Sequence, residues 1–126
     1  MKTYIAALLL LLASSFTVAQ EKIESKKWEW LGASESGAWL QTERSGSTVR
    51  FSLELNRGSP SYNSGVASGE FTMDKHLGVY QTSEFPKCTL IFAFVGDLVE
   101  IKQLGSDSDC GFGFGVMADH ILMLKK

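Results

Sequence analysis

The sequence predicts an all-β domain, a small antiparallel meander that closes into a seven- or eight-stranded barrel. Three observations favour this class. Apolar and polar residues alternate with a period of two along most of residues 38–124, the connections between these segments are short, and only residues 20–27 could hold a helical turn. Closure would also remove the free sheet edges that an uncovered open sheet exposes to aggregation. A two-sheet β-sandwich is the alternative architecture.

Residues 1–19 have the features of a signal peptide. Lys2 gives a basic start, residues 5–13 form an apolar run too short to cross a bilayer, and residues 17–19 offer a cleavage site. We therefore expect a signal peptide over residues 1–19 and a single β-barrel domain over residues 20–126. The exported protein is expected to be soluble, in a periplasm or outside the cell, and not inserted in the membrane.

Composition excludes several classes of function. The chain has 126 residues with 12 Lys+Arg against 14 Asp+Glu, and loss of Lys2 with the signal peptide changes the formal charge from -2 to -3. This balance lacks the basic surface that a phosphate backbone requires, so no nucleic-acid partner is expected. The chain is also too short for a Rossmann unit with a substrate domain, or for a TIM barrel.

The strands follow from the alternation. The clearest hairpin joins residues 88–95 to residues 98–104 through the turn Gly96-Asp97. Counting back from this turn pairs Phe94 with Val99, Phe92 with Ile101 and Leu90 with Gln103. Further strands are expected at residues 38–44, 49–55, 66–73, 77–82, 112–118 and 121–124, with turns at residues 45–46, 56–64 and 74–76.

The residues expected to point inward are bulky, and several are phenylalanine. An eight-stranded barrel is only just wide enough for such side chains, so we expect a filled core, with binding left to loops or to the outer wall. The inward set is Val49, Phe51, Leu53, Leu55, Phe71, Met73, Leu90, Phe92, Phe94, Val99, Ile101, Phe112, Phe114 and Val116.

Cys88 and Cys110 are the two cysteines, and in an oxidising compartment they are most simply a disulfide. A simple meander places Gly105 between them, which separates their Cα atoms by roughly 9 to 10 Å, more than the about 7 Å of a disulfide. We expect Cys110 to leave the ladder, with Gly105 making room; the alternative is another strand order. No His or second Cys stands at ligand spacing beside either one, so no metal or cofactor is expected.

Three segments resemble known patterns. Cys88-x-Leu-x-Phe-x-Phe94, Val99-x-Ile-x-Gln103 and Cys110-Gly-Phe-Gly-x-Gly-Val116-x-Ala-Asp119 resemble a C-terminal pattern of small, mostly uncharacterised bacterial exported β proteins. Related segments can accompany proteins named for lysozyme inhibition. The resemblance covers residues 69–119 and departs from the family at His120, where those proteins continue Ala-Asp-Gly-x-Tyr. Gly37-Ala38-Trp39 is similar to the Gly-x-Trp of lipocalin-like barrels.

Aromatic and loop residues are the candidates for contact with a partner. Trp28 and Trp30 share a face if residues 27–31 are extended, and such a pair either binds a partner or covers the open end of a barrel. Trp39 is expected to point outward beside Ser52 if the turn is the two residues Ser45-Gly46; a three-residue turn would point it inward beside Leu53. The polar loop 58–65 carries Tyr62, Asn63 and Ser64, which either enter an enzyme cleft or form an ordinary hairpin loop.

Catalysis has little support in the sequence. His76 and His120 are the two histidines, and no Gly-x-Ser-x-Gly elbow is present. We therefore expect a non-enzymatic protein that binds another macromolecule, a protein partner such as lysozyme or another cell-wall hydrolase. The first alternative is a lipocalin-like carrier of a small apolar ligand, which requires an open cavity of a few hundred Å³ lined by phenylalanines. The second is a small hydrolase, which requires a histidine beside a nucleophile in a cleft.

Overall fold

The computed structural model describes residues 22–126, which form eight β-strands and one short 3-10 helix. The strands are β1 (Glu24–Leu31), β2 (Gly37–Ser45), β3 (Thr48–Asn56), β4 (Ser64–Asp74), β5 (Leu77–Gln81), β6 (Thr89–Val95), β7 (Leu98–Leu104) and β8 (His120–Leu124), and the 3-10 helix is Ser108–Cys110. The expected signal peptide over residues 1–19 lies outside the described residues. Within the described part, no helix has the length and apolar character needed to cross a membrane.

The strands form a closed antiparallel barrel, as predicted, with eight strands. Each strand pairs with the next one in the sequence, and β8 pairs with β1. The closing contact is short, since it joins Trp28 to Leu124 and Glu29 to Met123. The meander therefore returns to its first strand.

The register of the β6–β7 hairpin agrees with the sequence prediction. Phe94 pairs with Val99, Phe92 with Ile101 and Leu90 with Gln103 around the turn Gly96-Asp97. Gly96 has φ 57°, a left-handed conformation that suits glycine in a two-residue hairpin turn.

The β2–β3 register differs from the expected one. Ser45 pairs with Thr48, so the turn is residues 46–47, and Trp39 stands opposite Glu54 instead of Ser52. Trp39 still points outward, because its neighbours Ala38 and Leu40 are buried in the interior.

Residues 24–27, which could have held a helical turn, belong to β1 instead. All eight residues of β1 pair with β2, from Glu24 opposite Arg44 to Leu31 opposite Gly37. This ladder satisfies backbone groups that a single helical turn would leave unpaired. The charged residues at the start of β1 hide its alternation, because they lie at the end of the barrel.

Residues 112–118 do not form the strand that was expected there, so that prediction is wrong. Gly111 and Gly115 have φ 71° and 74°, and such left-handed residues interrupt an extended chain. Phe112 and Val116 are buried as expected, but Phe114 is 78% exposed, so its expected inward position is wrong. The strand count stays at eight because β1 replaces this segment.

Phenylalanine rings occupy the barrel interior. The centroid of Phe92 lies 4.8 Å from that of Phe71, 5.0 Å from Phe51 and 6.5 Å from Phe94. Phe51, Phe71 and Phe92 are at most 4% exposed, and Phe94 is partly buried against them. At these separations the rings pack directly against one another.

Buried polar side chains have hydrogen-bond partners. The indole N–H of Trp28 donates to the hydroxyl of Thr42 at 3.2 Å. The amide of Gln103 accepts from the N–H of Ala118 at 2.7 Å and donates to the carbonyl of Gly105 at 3.2 Å. Gln103 therefore ties the segment that precedes β8 to the barrel wall.

Candidate binding site

The β3–β4 connection, residues 57–63, is a tight loop at one end of the barrel. The N–H of Arg57 donates to the carbonyl of Asn63, and that of Tyr62 to the carbonyl of Gly58, each at 2.8 Å. Tyr62 has φ 52° and Gly58 has φ 82°, so the chain reverses sharply inside the loop. Tyr62 is 49% exposed.

Residues 111–119 form a second loop at the same end, and Asp107 organises it. The carboxylate of Asp107 accepts from the N–H of Ser108 and from the N–H of Gly115, each at 2.6 Å. Its carbonyl accepts from the N–H of Phe112 at 2.8 Å. One residue therefore caps the 3-10 helix and fixes both ends of the segment that carries Phe114.

The predicted disulfide Cys88–Cys110 is confirmed, and it anchors this loop. The two Cα atoms lie 4.9 Å apart, because Cys110 ends the 3-10 helix and takes no part in the β ladder. Gly105 leaves room for this approach, since a Cβ there would lie 2.5 Å from the carbonyl oxygen of Lys87. Hydrogen bonds from the N–H and hydroxyl of Ser106 hold the pKa of Asp109, in the same turn, below its usual value.

The two loops are joined at Phe114. Its carbonyl accepts from the side-chain amide of Asn63 at 3.0 Å and from the guanidinium of Arg57 at 3.4 Å. The Arg57 guanidinium also lies 5.7 Å from the centre of the Phe114 ring. We call the surface formed by Arg57, Tyr62, Asn63 and Phe114 the Phe114 ridge.

Close backbone contact holds the ridge together. The N–H of Gly113 donates to the carbonyl of Ser64 at 2.9 Å, and a Cβ at Gly113 would lie 2.8 Å from that oxygen. A Cβ at Gly115 would lie 2.5 Å from the guanidinium of Arg57. These glycines allow the approach of the two loops that a side chain would prevent.

Of the three tryptophans, Trp30 is the one that borders the ridge. It lines a depression of about 230 Å³ together with Arg57 and Gly115. Trp28 is only 3% exposed and faces the core. Trp39 lies on the outer wall with its ring over Gly37, where a Cβ would be 2.4 Å from that ring.

His120 lies in the same depression, stacked on Trp30 with 4.0 Å between ring centroids. Partial burial lowers the pKa of His120, although the Met117 backbone and the nearby Asp119 oppose this shift. His76 lies in the β4–β5 turn at the opposite end. The side-chain hydrogen bonds found among residues 22–126 pair neither imidazole with a hydroxyl, so no nucleophile–histidine pair is formed there.

A cleft of about 330 Å³ opens in the wall between β4 and β5, where the two strands share only two residue pairs. The hydroxyl of Tyr80 crosses this gap and donates to the carbonyl of Ser68 at 3.0 Å. The cleft is lined by Val66, Ala67, Ser68, Tyr80, Thr82, Glu84, Phe85, Cys88, Leu90, Cys110, Gly111 and Phe112.

Among residues 22–126, no three His, Cys, Asp or Glu side chains are grouped so that they could hold a metal ion.

Comparisons of the chain with protein-family models, curated proteins and solved structures found no match. The arguments for function therefore rest on the geometry of this molecule.

Arg57 and Phe114 are the ridge residues that sequence analysis missed. In the Gly-Phe-Gly-Phe-Gly segment, Phe114 follows the two-residue period of a strand, and this pattern predicts that its side chain lies in the core. The misfit of Cys110 with a simple meander is the signal that could have found it, because a chain that leaves the ladder at residue 110 loses the register that points Phe114 inward. Arg57 gives no local signal, because its partner lies 57 residues away.

Proposed function

We propose that the chain is an exported, non-enzymatic protein that binds another macromolecule through the Phe114 ridge. The observation that carries the proposal is a phenylalanine that is 78% exposed on a loop fixed by hydrogen bonds to Asp107, Asn63 and Arg57. Export is supported by the signal-like residues 1–19 and by the disulfide.

An exposed phenylalanine on a fixed loop favours binding for two reasons. Burial of such a side chain contributes about 1.5–3 kcal/mol, and a loop that is already ordered loses little entropy on association. Aromatic residues and arginine are also the types that dominate binding energy at the centres of protein interfaces. The Phe114 ridge places Arg57 directly beside the phenylalanine, and Tyr62 is exposed on the neighbouring loop.

We propose a cell-wall hydrolase such as lysozyme as the partner. The resemblance of residues 69–119 to small exported β proteins supports this class, because related segments can accompany proteins named for lysozyme inhibition. The Phe114 ridge carries an exposed aromatic side chain that can enter a cleft. The formal charge of -3 on the exported chain is compatible with a basic enzyme.

The test is a titration of the exported, disulfide-bonded chain against several lysozymes and peptidoglycan hydrolases, with the hydrolysis rate as the readout. We expect inhibition of at least one enzyme at micromolar protein. The variant Phe114→Ala should weaken that inhibition about 10-fold or more, because it removes the most exposed anchor of the ridge. Tyr62→Ala should weaken it in the same direction.

Ile23→Ala is the matched control, because Ile23 is 64% exposed and lies at the opposite end of the barrel. It should inhibit as well as the unmodified chain. Unchanged hydrolysis rates with every enzyme would refute inhibition. Inhibition that survives both Phe114→Ala and Tyr62→Ala would keep the activity but remove the ridge as its site.

A second candidate, a carrier of a small ligand, is favoured by the cleft between β4 and β5. Its volume of about 330 Å³ suits a small molecule, and Phe85, Phe112 and Leu90 give it apolar walls. The test is equilibrium binding of a fluorescent apolar probe to the exported chain and to Ala67→Leu, which fills the cleft. Binding that Ala67→Leu abolishes supports the carrier, and equal binding by both proteins contradicts it.

A further inference from the structure

The outer wall of the barrel is divided into a polar half and an apolar half. On β2 and β3 the outward positions are mostly polar, as with Gln41, Arg50 and Glu54. On β5 to β8 seven outward aliphatic side chains are 40% to 65% exposed: Leu104 lies at the end of β7, and the other six are Leu77, Val79, Val95, Leu98, Ile121 and Met123. We call this surface the β5–β8 face.

These side chains form neighbouring rows across the sheet. Val95 pairs with Leu98, which pairs in turn with Met123. The next row runs from Leu77 through Ala93 and Glu100 to Ile121. Large contiguous apolar patches are uncommon on monomers and mark interaction surfaces.

Two opposite charges stand on β7 inside this face. Glu100 lies between Ala93 and Ile121, and Lys102 lies opposite Ile91. Both point outward, and neither belongs to any of the ion pairs among residues 22–126. When a two-fold axis passes between an acid and a base on one strand, the acid of each copy faces the base of the other copy. Such a pair is therefore complementary to itself.

We propose that the β5–β8 face binds the same face of a second copy of this chain, in a two-fold dimer centred on β7. Antiparallel superposition of two β7 strands about Ile101 brings Glu100 of each copy opposite Lys102 of the other. The row that contains Glu100 then lies over the row that contains Lys102, so Leu77 and Ala93 of one copy meet Val79 and Ile91 of the other. Leu98 meets Leu104 in the same way, and each charge gains the partner that its own chain does not supply.

The available area fits this occupant. Seven side chains with this exposure offer apolar surface on the order of several hundred Å² per copy, approaching the about 800 Å² per partner of a standard interface. Charged pairs border the face, with Glu29–Lys125 at 3.4 Å on one side and Asp97–Lys126 at 3.0 Å at the turn. An apolar centre with a polar rim is the usual anatomy of a protein interface.

Sedimentation equilibrium of the exported, disulfide-bonded chain tests the proposal. We expect a monomer–dimer equilibrium at micromolar concentrations. Glu100→Lys and Lys102→Glu should each weaken the dimer about 10-fold or more, because each places like charges opposite one another across the axis. An equimolar mixture of the two variants should form a heterodimer, since every charge across the axis then meets its opposite.

Glu54→Lys on β3 and Lys27→Glu on β1 are matched controls, because they make the same charge changes at exposed positions outside the β5–β8 face and should leave dimerisation unchanged. A circular dichroism spectrum like that of the unmodified chain shows that each variant is folded. A protein that remains monomeric at several hundred micromolar overturns the proposal. A dimer that persists in both single variants, or a mixture that does not associate, also overturns it.

Discussion

Asp107 shows how much of the candidate site depends on one side chain. Its carboxylate joins the start of the 3-10 helix to Gly115, eight residues further along the chain. Apart from that short helix, the segment between them contains no helix or strand. Its shape is therefore set by these hydrogen bonds, by the disulfide and by the contacts with the β3–β4 loop. The exposed Phe114 is therefore carried by a backbone segment whose position is fixed.

Replacement of Asp107 tests this dependence. We expect Asp107→Ala to lower the free energy of unfolding by about 1–2 kcal/mol, because it removes the helix cap and the bond to Gly115 together. Asp107→Asn keeps one oxygen acceptor but replaces the other with an NH2 group that cannot accept, so it should lose about half of that. Urea denaturation measures both values, and equal losses in the two variants would contradict the role of the acceptor.

His120 gives the protein a pH dependence of known sign. Its pKa is lowered in the folded state by burial, whereas in the unfolded chain it returns to about 6.5. Below about pH 6.5 the unfolded chain therefore binds a proton that the folded protein does not yet bind. The free energy of unfolding should fall as the pH drops from about 6.5 through the folded pKa.

The variant His120→Phe isolates this contribution. It keeps a ring to stack on Trp30 but cannot be protonated, so its unfolding free energy should lose the part of the pH dependence between about pH 5 and 7 that His120 contributes. His76→Phe, in the exposed turn, is the control and should keep that slope. Denaturation curves at several pH values give the comparison; identical slopes for the unmodified chain and His120→Phe would contradict the prediction.

At the scale of elements, the sequence is most informative where strict alternation meets a two-residue turn. The β6–β7 hairpin could be predicted pair by pair, because a register error of one residue would turn Phe92 and Ile101 to the solvent. In β1 the charged residues that precede Trp28 lie at the end of the barrel and conceal the alternation. Local pattern therefore predicts strands well only where one face is fully buried.

The candidate site shows the same limit. Tyr62 and Asn63 could be found from the turn composition of their loop, which needs no tertiary contact. Phe114 could not, because its exposure depends on left-handed Gly111 and Gly115 and on contacts with a loop about fifty residues earlier. A Gly-Phe alternation has the period of a strand whether or not the glycines are extended.

The disulfide is the element that joins the second loop to the wall. It closes a loop in which Cys88 and Cys110 have a sequence separation of 22. In the chain-entropy treatment a loop of this size contributes about 3 kcal/mol, so the double variant Cys88→Ala with Cys110→Ala should lose roughly that amount. Urea denaturation of both proteins measures the loss. The unmodified chain in reducing agent is the control, and a loss below about 1 kcal/mol would contradict the prediction.

At the scale of the whole molecule, the packing of the interior bears on where the proposed binding can take place. Phenylalanine rings pack against one another in the middle of the barrel, so the proposals for binding use the Phe114 ridge, the cleft in the wall and the apolar outer face. The ridge and the β5–β8 face occupy different parts of the surface. A dimer through β7 therefore leaves both ridges of the pair free to bind a partner.

Phe92 is the residue with which to test the packed interior, because it is fully buried and contacts Phe51, Phe71 and Phe94. Phe92→Ala should lower the free energy of unfolding by about 3–5 kcal/mol, and Phe92→Leu by less, because the leucine fills more of the space. The apolar cavity left by alanine should bind benzene, so saturating benzene should raise the stability of Phe92→Ala more than that of the unmodified chain. A loss below about 1 kcal/mol, or equal stabilisation of both proteins by benzene, would mean that the ring is not tightly packed and that the lumen already has room for a ligand.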